Sequence, residues 1–337
     1  MKIRYFYLLL VLSMFTSCAY FYKSDNNVAK EGVLYIYPNS TYSQVLDSIQ
    51  TYVKDIEKFD AVAQLMEYDK TVIPGKYKIA LDDTNESLVN RLQLGEEEPV
   101  KLMIRNSPTI FHLARDASKD IIADSTAIVN AILENARFKE ENLDLETSKI
   151  YFIPNTYFFK WITSGDQFVE RMITEHDKFW DDDRKAKLKA SGLTELEVYT
   201  LASIVQMEAS KADEQPKVAR AYLNRLKIGM KLQADPTSVY AYKLEHGFNQ
   251  SIQRVYHKHL NTASDYNTYQ IVGLPPAPIT LPNGTAIDAV LEPDDHDFVY
   301  FVADPDNPGY HSFSSTYAEH QAKANKYRTW LRENDIK

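Results

Sequence analysis

Few stretches commit to one structure as firmly as Thr194 to Glu208. Thr194 is followed three residues later by Glu197, the pairing of a capping box. In the helix this predicts, Leu201, Ile204, Val205 and Glu208 share a face, because their offsets are three, four and seven. A carboxylate therefore ends an apolar stripe. Desolvation by that stripe disfavours its ionised form. The negative carbonyl end of the helix acts in the same direction. A proton held near neutral pH is what a general acid needs. Periodicity alone also allows a plainer arrangement, in which Glu208 reaches solvent as the helix frays.

The sequence beyond Glu208 supports a built site. Pro216 suits the first turn of a helix running over 217–228 and closed by Gly229. Val218, Tyr222 and Arg225 share its face, with Asn224 beside them. Polar loops follow, one holding Gln233, Asp235 and Thr237, another holding Tyr266, Asn267, Thr268 and Tyr269. Amides and hydroxyls interleaved with tyrosines suit a sugar: amides match ring hydroxyls, and aromatic faces match the pyranose C–H face. Any one of these segments could equally be an ordinary turn.

Composition narrows the function classes. A chain of 337 residues with 44% apolar and 25% charged residues is an ordinary globular protein of one or two domains. The net charge of −9 and the lack of a basic stripe argue against nucleic acid as a partner. One cysteine excludes an internal disulfide and any multi-cysteine zinc site.

At the amino terminus, Lys2 and Arg4 precede 18 uncharged residues, Tyr5 to Tyr22. This reads as a membrane anchor at the lower limit of spanning length, with the body of the protein exported. A lipidated Cys18 or a cleaved signal peptide are the alternatives, and each exports the same body. Residues 23–32 form a polar linker. A strand at 33–37, two helices and a strand near 72–79 then form a module that resembles LysM-like glycan-binding domains. Equally, it could be a packing subdomain without a ligand. A helix at 85–94 ending in Gly95 and a strand at 100–104 come next. Residues 107–186 read as largely helical, interrupted at Tyr151–Tyr157.

Taken in order, Leu201–Glu208, Pro216–Ala219, Tyr222–Leu226, Gly229–Thr237, Tyr266–Tyr269 and Gly273–Pro276 resemble the MltG (YceG-like) family of endolytic murein transglycosylases. The segment Tyr300–Ala303 also fits, so the resemblance covers nearly the whole chain. Ala277 stands where that family usually has Gly, Asn155 where it usually has Asp, and Ala209-Ser210 follow the glutamate. The resemblance implies an α+β fold: an anchor or signal segment (1–22), a linker (23–32), a small LysM-like βααβ module (33–99) and a larger mixed α/β YceG-like catalytic domain (100–337). It implies that Glu208 protonates the leaving oxygen of a MurNAc–GlcNAc bond, then takes the proton of the C6 hydroxyl as a 1,6-anhydro ring closes. The substrate-binding candidates are Asn155, Tyr157, Asn224, Arg225, Gln233, Asp235, Thr237, Tyr266, Asn267, Thr268 and Tyr269.

One residue serving as acid and then base needs no second carboxylate, unlike the paired-carboxylate glycosidases. Asp235, before a proline, reads as orienting or structural. A hydrolase using Glu208 with Asp235 and a non-catalytic glycan-binding scaffold for cell-wall synthases are the competing functions. His257, His259, His296, His311 and His320 match no zinc spacing and read as surface and loop histidines. No cofactor is implied. A carboxy-terminal helix capped by Thr316 reads as cover for the catalytic domain.

Overall fold

The structure is a computed structural model that describes residues 19–334. The predicted anchor falls largely outside the described residues, as does Cys18; residues 19–22 are helical. Among the described residues no helix is long and apolar enough to cross a membrane. The fold is mixed α+β, mostly helical, with small two-stranded sheets. It divides into two compact units.

The first unit comprises residues up to Leu102 with Ser118–Ala123 and Tyr157–Ser164. Its strand β1 (Gly32–Ile36) leads into helices α1 (Tyr42–Ile49) and α2 (Ile56–Leu65), then strand β2 (Gly75–Ile79) and helix α3 (Asn85–Leu94). Alternation along the strands decides the packing. Leu34 and Ile36 turn inward while Tyr35 turns out, and antiparallel pairing sets Leu34 opposite Tyr77. Ile49, Phe59, Val62, Leu88 and Leu92 complete the core. Thr41 caps α1 and Asp55 caps α2. Helix α3 ends at Gly95, whose φ of 66° is left-handed and suits glycine. Arg91 of α3 grips the buried Asp83 with both guanidinium ends, at 2.6 and 2.7 Å, and donates to the Lys78 carbonyl at 2.7 Å.

Strand β3 (Val100–Ile104) follows, and pairs with β4 (Asn155–Phe159). Between them run α4 (Ile110–Ala117), α5 (Ser125–Glu134) and α6 (Ala136–Glu140), as the helical patterning of that region predicts. The second unit comprises Met103–Ala117, Asp124–Thr156 and Gly165 onward. After β4 it holds α7 (Gly165–Phe179), α8 (Asp182–Ser191), α9 (Glu195–Glu208), α10 (Gln215–Lys227), α11 (Asp235–His246), α12 (His257–Leu260) and α13 (Gly284–Leu291). A hairpin of β5 (Tyr300–Ala303) and β6 (His311–Ser314) and the helix α14 (Tyr317–Glu333) finish the chain. None of the residues of α14 is buried, and it lies on the hairpin.

Helix α9 is the axis of the second unit. Its capping box forms as the sequence predicts: Thr194 accepts from the Glu197 N–H while the Glu197 carboxylate accepts from the Thr194 N–H. The expected apolar stripe is broader than periodicity suggests. Every residue from Val198 to Val205 is buried, because α10, α11 and α13 all pack on α9. Its two polar faces serve the fold. Ser203 accepts from the Ile279 N–H at 3.0 Å, and Gln206 Oε1 accepts from the Asn283 N–H at 2.7 Å. The proline-rich loop is thereby laid along the helix. Gly165 marks the closest helix approach, since a Cβ there would stand 2.5 Å from the Ala127 carbonyl oxygen.

Candidate active site

Glu208 is the last residue of α9, and Ala209 leaves the helix in extended conformation. The carboxyl is half-buried, and among the described residues it has no hydrogen-bond or ion-pair partner. Burial pushes its pKa up to about 7. The nearby negative charges of Asp235 and Glu214 act in the same direction, and His311 and Arg225 oppose them. Glu208 thus combines partial exposure to solvent with a proton affinity close to neutral.

Several elements contribute groups that act on it. Helix α10 contributes Tyr222 and Arg225, both buried. Arg225 was expected to meet substrate; two of its three guanidinium nitrogens donate within the protein. Its Nε donates to the Val299 carbonyl at 2.6 Å, and one terminal nitrogen donates to the Leu232 carbonyl. Asn224 likewise donates to the carbonyls of His296 and Phe298, at 2.9 and 3.1 Å. Both side chains hold the segment that leads into the β5–β6 hairpin. The physical reason is that this segment carries carbonyls otherwise left without donors.

The loop before α11 and the loop at 264–270 form the second wall. Gln233 is exposed, with a left-handed φ of 46°, and its N–H donates to the Thr268 carbonyl at 3.2 Å. Thr237 and Thr268 are fully buried, and their hydroxyls meet at 2.8 Å. Asn267 is fully buried too. Its amide donates to the Leu260 and Thr262 carbonyls at 3.0 and 2.8 Å. These three were expected to face sugar; in the structure all are fully buried and bonded within the loops. The loop presents Tyr269, whose hydroxyl donates to Asp235 Oδ1 at 2.6 Å. Burial and that carboxylate both raise the Tyr269 pKa. Tyr266 turns instead toward Tyr240, ring centroids 4.9 Å apart.

Behind Tyr240 sits a fully buried ammonium. Lys149 Nζ lies 2.6 Å from Glu146 and donates to the Tyr240 hydroxyl at 3.0 Å and the Pro278 carbonyl at 2.5 Å. Burial lowers its pKa. No sequence signal marked it: Glu146 is three residues away, but Tyr240 and Pro278 lie 91 and 129 positions along the chain.

Asn155 begins β4 and is exposed, with its Oδ1 accepting from the Thr156 N–H at 2.7 Å. Tyr157 is buried and belongs to the first unit. Neither is joined to Glu208 by a described contact.

Of the histidines read as surface and loop residues, His257 is exposed and His296 lies in a loop, whereas His259 and His311 are tied into the fold. His259 is buried. His296 Nε2 donates to the Lys217 carbonyl at 2.9 Å. His311 stands on β6, its Nδ1 2.9 Å from the buried Glu214 carboxylate. Sequence reasoning placed Glu214 only ahead of a helix and set His311 aside. The residues lie 97 positions apart, which no local pattern reveals. Among the described residues no group of three or more histidine, cysteine or acidic side chains could hold a metal ion.

The YceG-like family profile matches residues 34–326. The endolytic murein transglycosylase of Bacillus subtilis (strain 168) is 33% identical over 178 residues, 52% of this chain and 47% of the relative. The protein of the same name from Streptococcus pneumoniae serotype 2 is 31% identical over 193 residues, 57% of this chain and 34% of the relative. The match thus spans less than half the length of either relative. A crystal structure of a yceG-like protein from Listeria monocytogenes superimposes with a TM-score of 0.57 at 23% identity, covering 87% of this chain and 98% of that one, a likeness of fold. Since the profile takes in both units and the Glu208 helix with all its surrounding loops, the chain belongs to the YceG-like family.

Proposed function

We propose that this protein is an endolytic murein transglycosylase, cutting the MurNAc–GlcNAc β-1,4 bond within glycan strands of peptidoglycan. The observation that carries the reading is the half-buried Glu208 carboxyl, whose pKa near 7 leaves it protonated in a useful fraction of molecules at neutral pH. Glu208 gives its proton to the glycosidic oxygen as the bond from C1 of MurNAc breaks, and the GlcNAc hydroxyl departs. The carboxylate so formed takes the proton of the C6 hydroxyl while that oxygen bonds to C1. The 1,6-anhydro ring closes, no water is consumed, and Glu208 regains its proton. The names of the relatives support this reading.

Asp235, Tyr269 and Gln233 line the approach and are the substrate contacts of this reading. Asp235 already accepts from Tyr269, which suits an orienting role better than that of a second catalytic group. Mass spectrometry of digested strands tests the chemistry. Anhydro-MurNAc ends support the transglycosylase; reducing MurNAc ends alone would make the enzyme a hydrolase. Strand binding with no cleavage would leave only a scaffold for cell-wall synthases.

The first unit is proposed as a LysM-like glycan-binding module. A groove of about 350 Å³ there is lined by Tyr35, Tyr37, Asn39, Ser40, Gln44 and Ser48 among others. Trp161 meets the Tyr35 and Tyr37 rings edge-on, at 4.9 and 5.0 Å. Uncharged amides and exposed aromatic faces suit a saccharide. The uncharged run at 5–22 supports placement in the cytoplasmic membrane by a single span, with the catalytic part outside the cytoplasm; a lipoprotein modified at Cys18 is the alternative.

A further inference from the structure

Helix α10 has two distinct faces. Tyr222 and Arg225 lie on one. Arg220, Leu223, Asn224 and Lys227 follow at offsets of three, four and seven and share the opposite stripe. Helix α13 packs on both α10 and α8. Where these three helices of the second unit meet, there is a cavity of about 450 Å³, the size of a small-ligand pocket. None of the charged groups that act on Glu208 lines it.

The lining divides by chemistry. Leu223, Val290, Leu291 and Pro293 form an apolar wall, and Lys187, Arg220 and Lys227 bring three cations. Lys187 is already neutralised, because its ammonium meets Asp183 and, at 2.8 Å, Glu292. Arg220 uses only Nε, which donates to the Asp294 carbonyl. Among the described residues the two terminal nitrogens of Arg220 and the Lys227 ammonium have no hydrogen-bond or ion-pair partner. Asn224 gives its amide hydrogens to the carbonyls of His296 and Phe298, which leaves Oδ1 as an acceptor. In a chain of net charge −9, two unpaired cations beside an apolar wall suit an anion.

The surroundings narrow the kind of anion. A bilayer surface is held by many cations acting together. Here Arg184 is paired with Asp288, as Lys187 is with its two acids, so only two charges remain. A guanidinium grips a carboxylate or a phosphate with two parallel donors. The apolar wall separates those two: it suits an anion carrying alkyl groups, as a carboxylate on a short peptide does and inorganic phosphate does not.

We propose that this cavity is a second binding site, taking the carboxylate of a peptide stem borne by a peptidoglycan strand. Arg220 and Lys227 hold the carboxylate, Leu223 and Pro293 receive an alanine methyl, and Asn224 Oδ1 accepts a peptide N–H. The choice of ligand rests on the reading of peptidoglycan as substrate.

Titration calorimetry of the full chain with the stem dipeptide L-Ala-D-Glu tests the proposal, with its diamide, inorganic phosphate and phosphatidylglycerol vesicles as the other probes. The wild type is expected to bind the dipeptide at millimolar concentration and not the diamide. Arg220→Gln with Lys227→Gln should weaken dipeptide binding by about 10-fold or more. On strands, the double variant should raise KM for stem-bearing glycan and leave kcat and KM on peptide-stripped glycan unchanged. Should it not fold, Lys227→Gln alone, at an exposed position without a described partner, reads the same loss in smaller measure. No binding by the wild type, or equal binding by wild type and variants, would overturn the proposal. Phosphate or vesicles bound by the wild type and lost by the variants, with the dipeptide ignored, would make the cavity a phosphate or membrane site and overturn the peptide assignment. A wild type that binds the dipeptide but leaves no anhydro ends on strands would defeat the reading of Glu208 and leave this site standing.

Discussion

An un-ionised carboxyl at Glu208 costs the fold nothing at pH values where free glutamate is also protonated. The pKa is raised from 4.5 to about 7, so the folded state binds a proton that the unfolded chain releases. Stability from this group is complete below the unfolded value and is lost as pH climbs through about 7. Glu208→Gln should therefore raise the melting temperature at about pH 8 and leave it unchanged at about pH 4, as calorimetry at the two pH values would record. The same substitution should lower kcat by about 10²–10⁴-fold, the usual contribution of a general acid, with strand binding retained. Asp235→Asn works on the same carboxyl from the other side. Asp235 raises the Glu208 pKa. Its removal should move the alkaline limb of the kcat/KM profile downward, and an upward or absent shift would exclude the coupling.

At the scale of elements, local signals and distant contacts part company. Thr194, Thr41 and Gly95 act on residues within a turn of themselves, so the ends of α9, α1 and α3 can be read from sequence. Thr194→Ala should cost about 0.5–2 kcal/mol in denaturant unfolding through the lost cap. The ties that assemble the site are of another kind. Lys149 and Pro278 are 129 positions apart, and Asn224 and His296 are 72 apart. Periodicity carries no trace of such pairs. For that reason sequence alone reads Asn224, Arg225 and Asn267 as sugar ligands, although all three donate to backbone carbonyls: a side chain that satisfies a carbonyl has the same letter as one that awaits a hydroxyl. Helix spacing places Glu208 at the end of an apolar run, as the structure has it, but its role was read from the family resemblance and not from periodicity. Lys149→Met should show how much the distant ties matter. It takes the ammonium from the distant Pro108 and Pro278 carbonyls and leaves Glu146 to the hydroxyl of Tyr240, and should destabilise the protein by about 3–5 kcal/mol, measurable by urea unfolding.

Over the whole molecule, two units hold separate candidate sites: an aromatic groove in the first and the half-buried Glu208 in the second. If the groove binds glycan, Tyr37→Ala with Trp161→Ala should raise KM on long strands and leave kcat and its pH profile unchanged. A fall in kcat without a change in KM would contradict that division. The chemistry of the second unit is decided by the ends it leaves. Wild-type protein and Glu208→Gln should be incubated with purified glycan strands and the new termini weighed by mass spectrometry. The wild type should yield 1,6-anhydro-MurNAc ends and the variant none; anhydro ends formed equally by both, or only water-bearing reducing ends from the wild type, would contradict Glu208 as the group that gives a proton and takes one back.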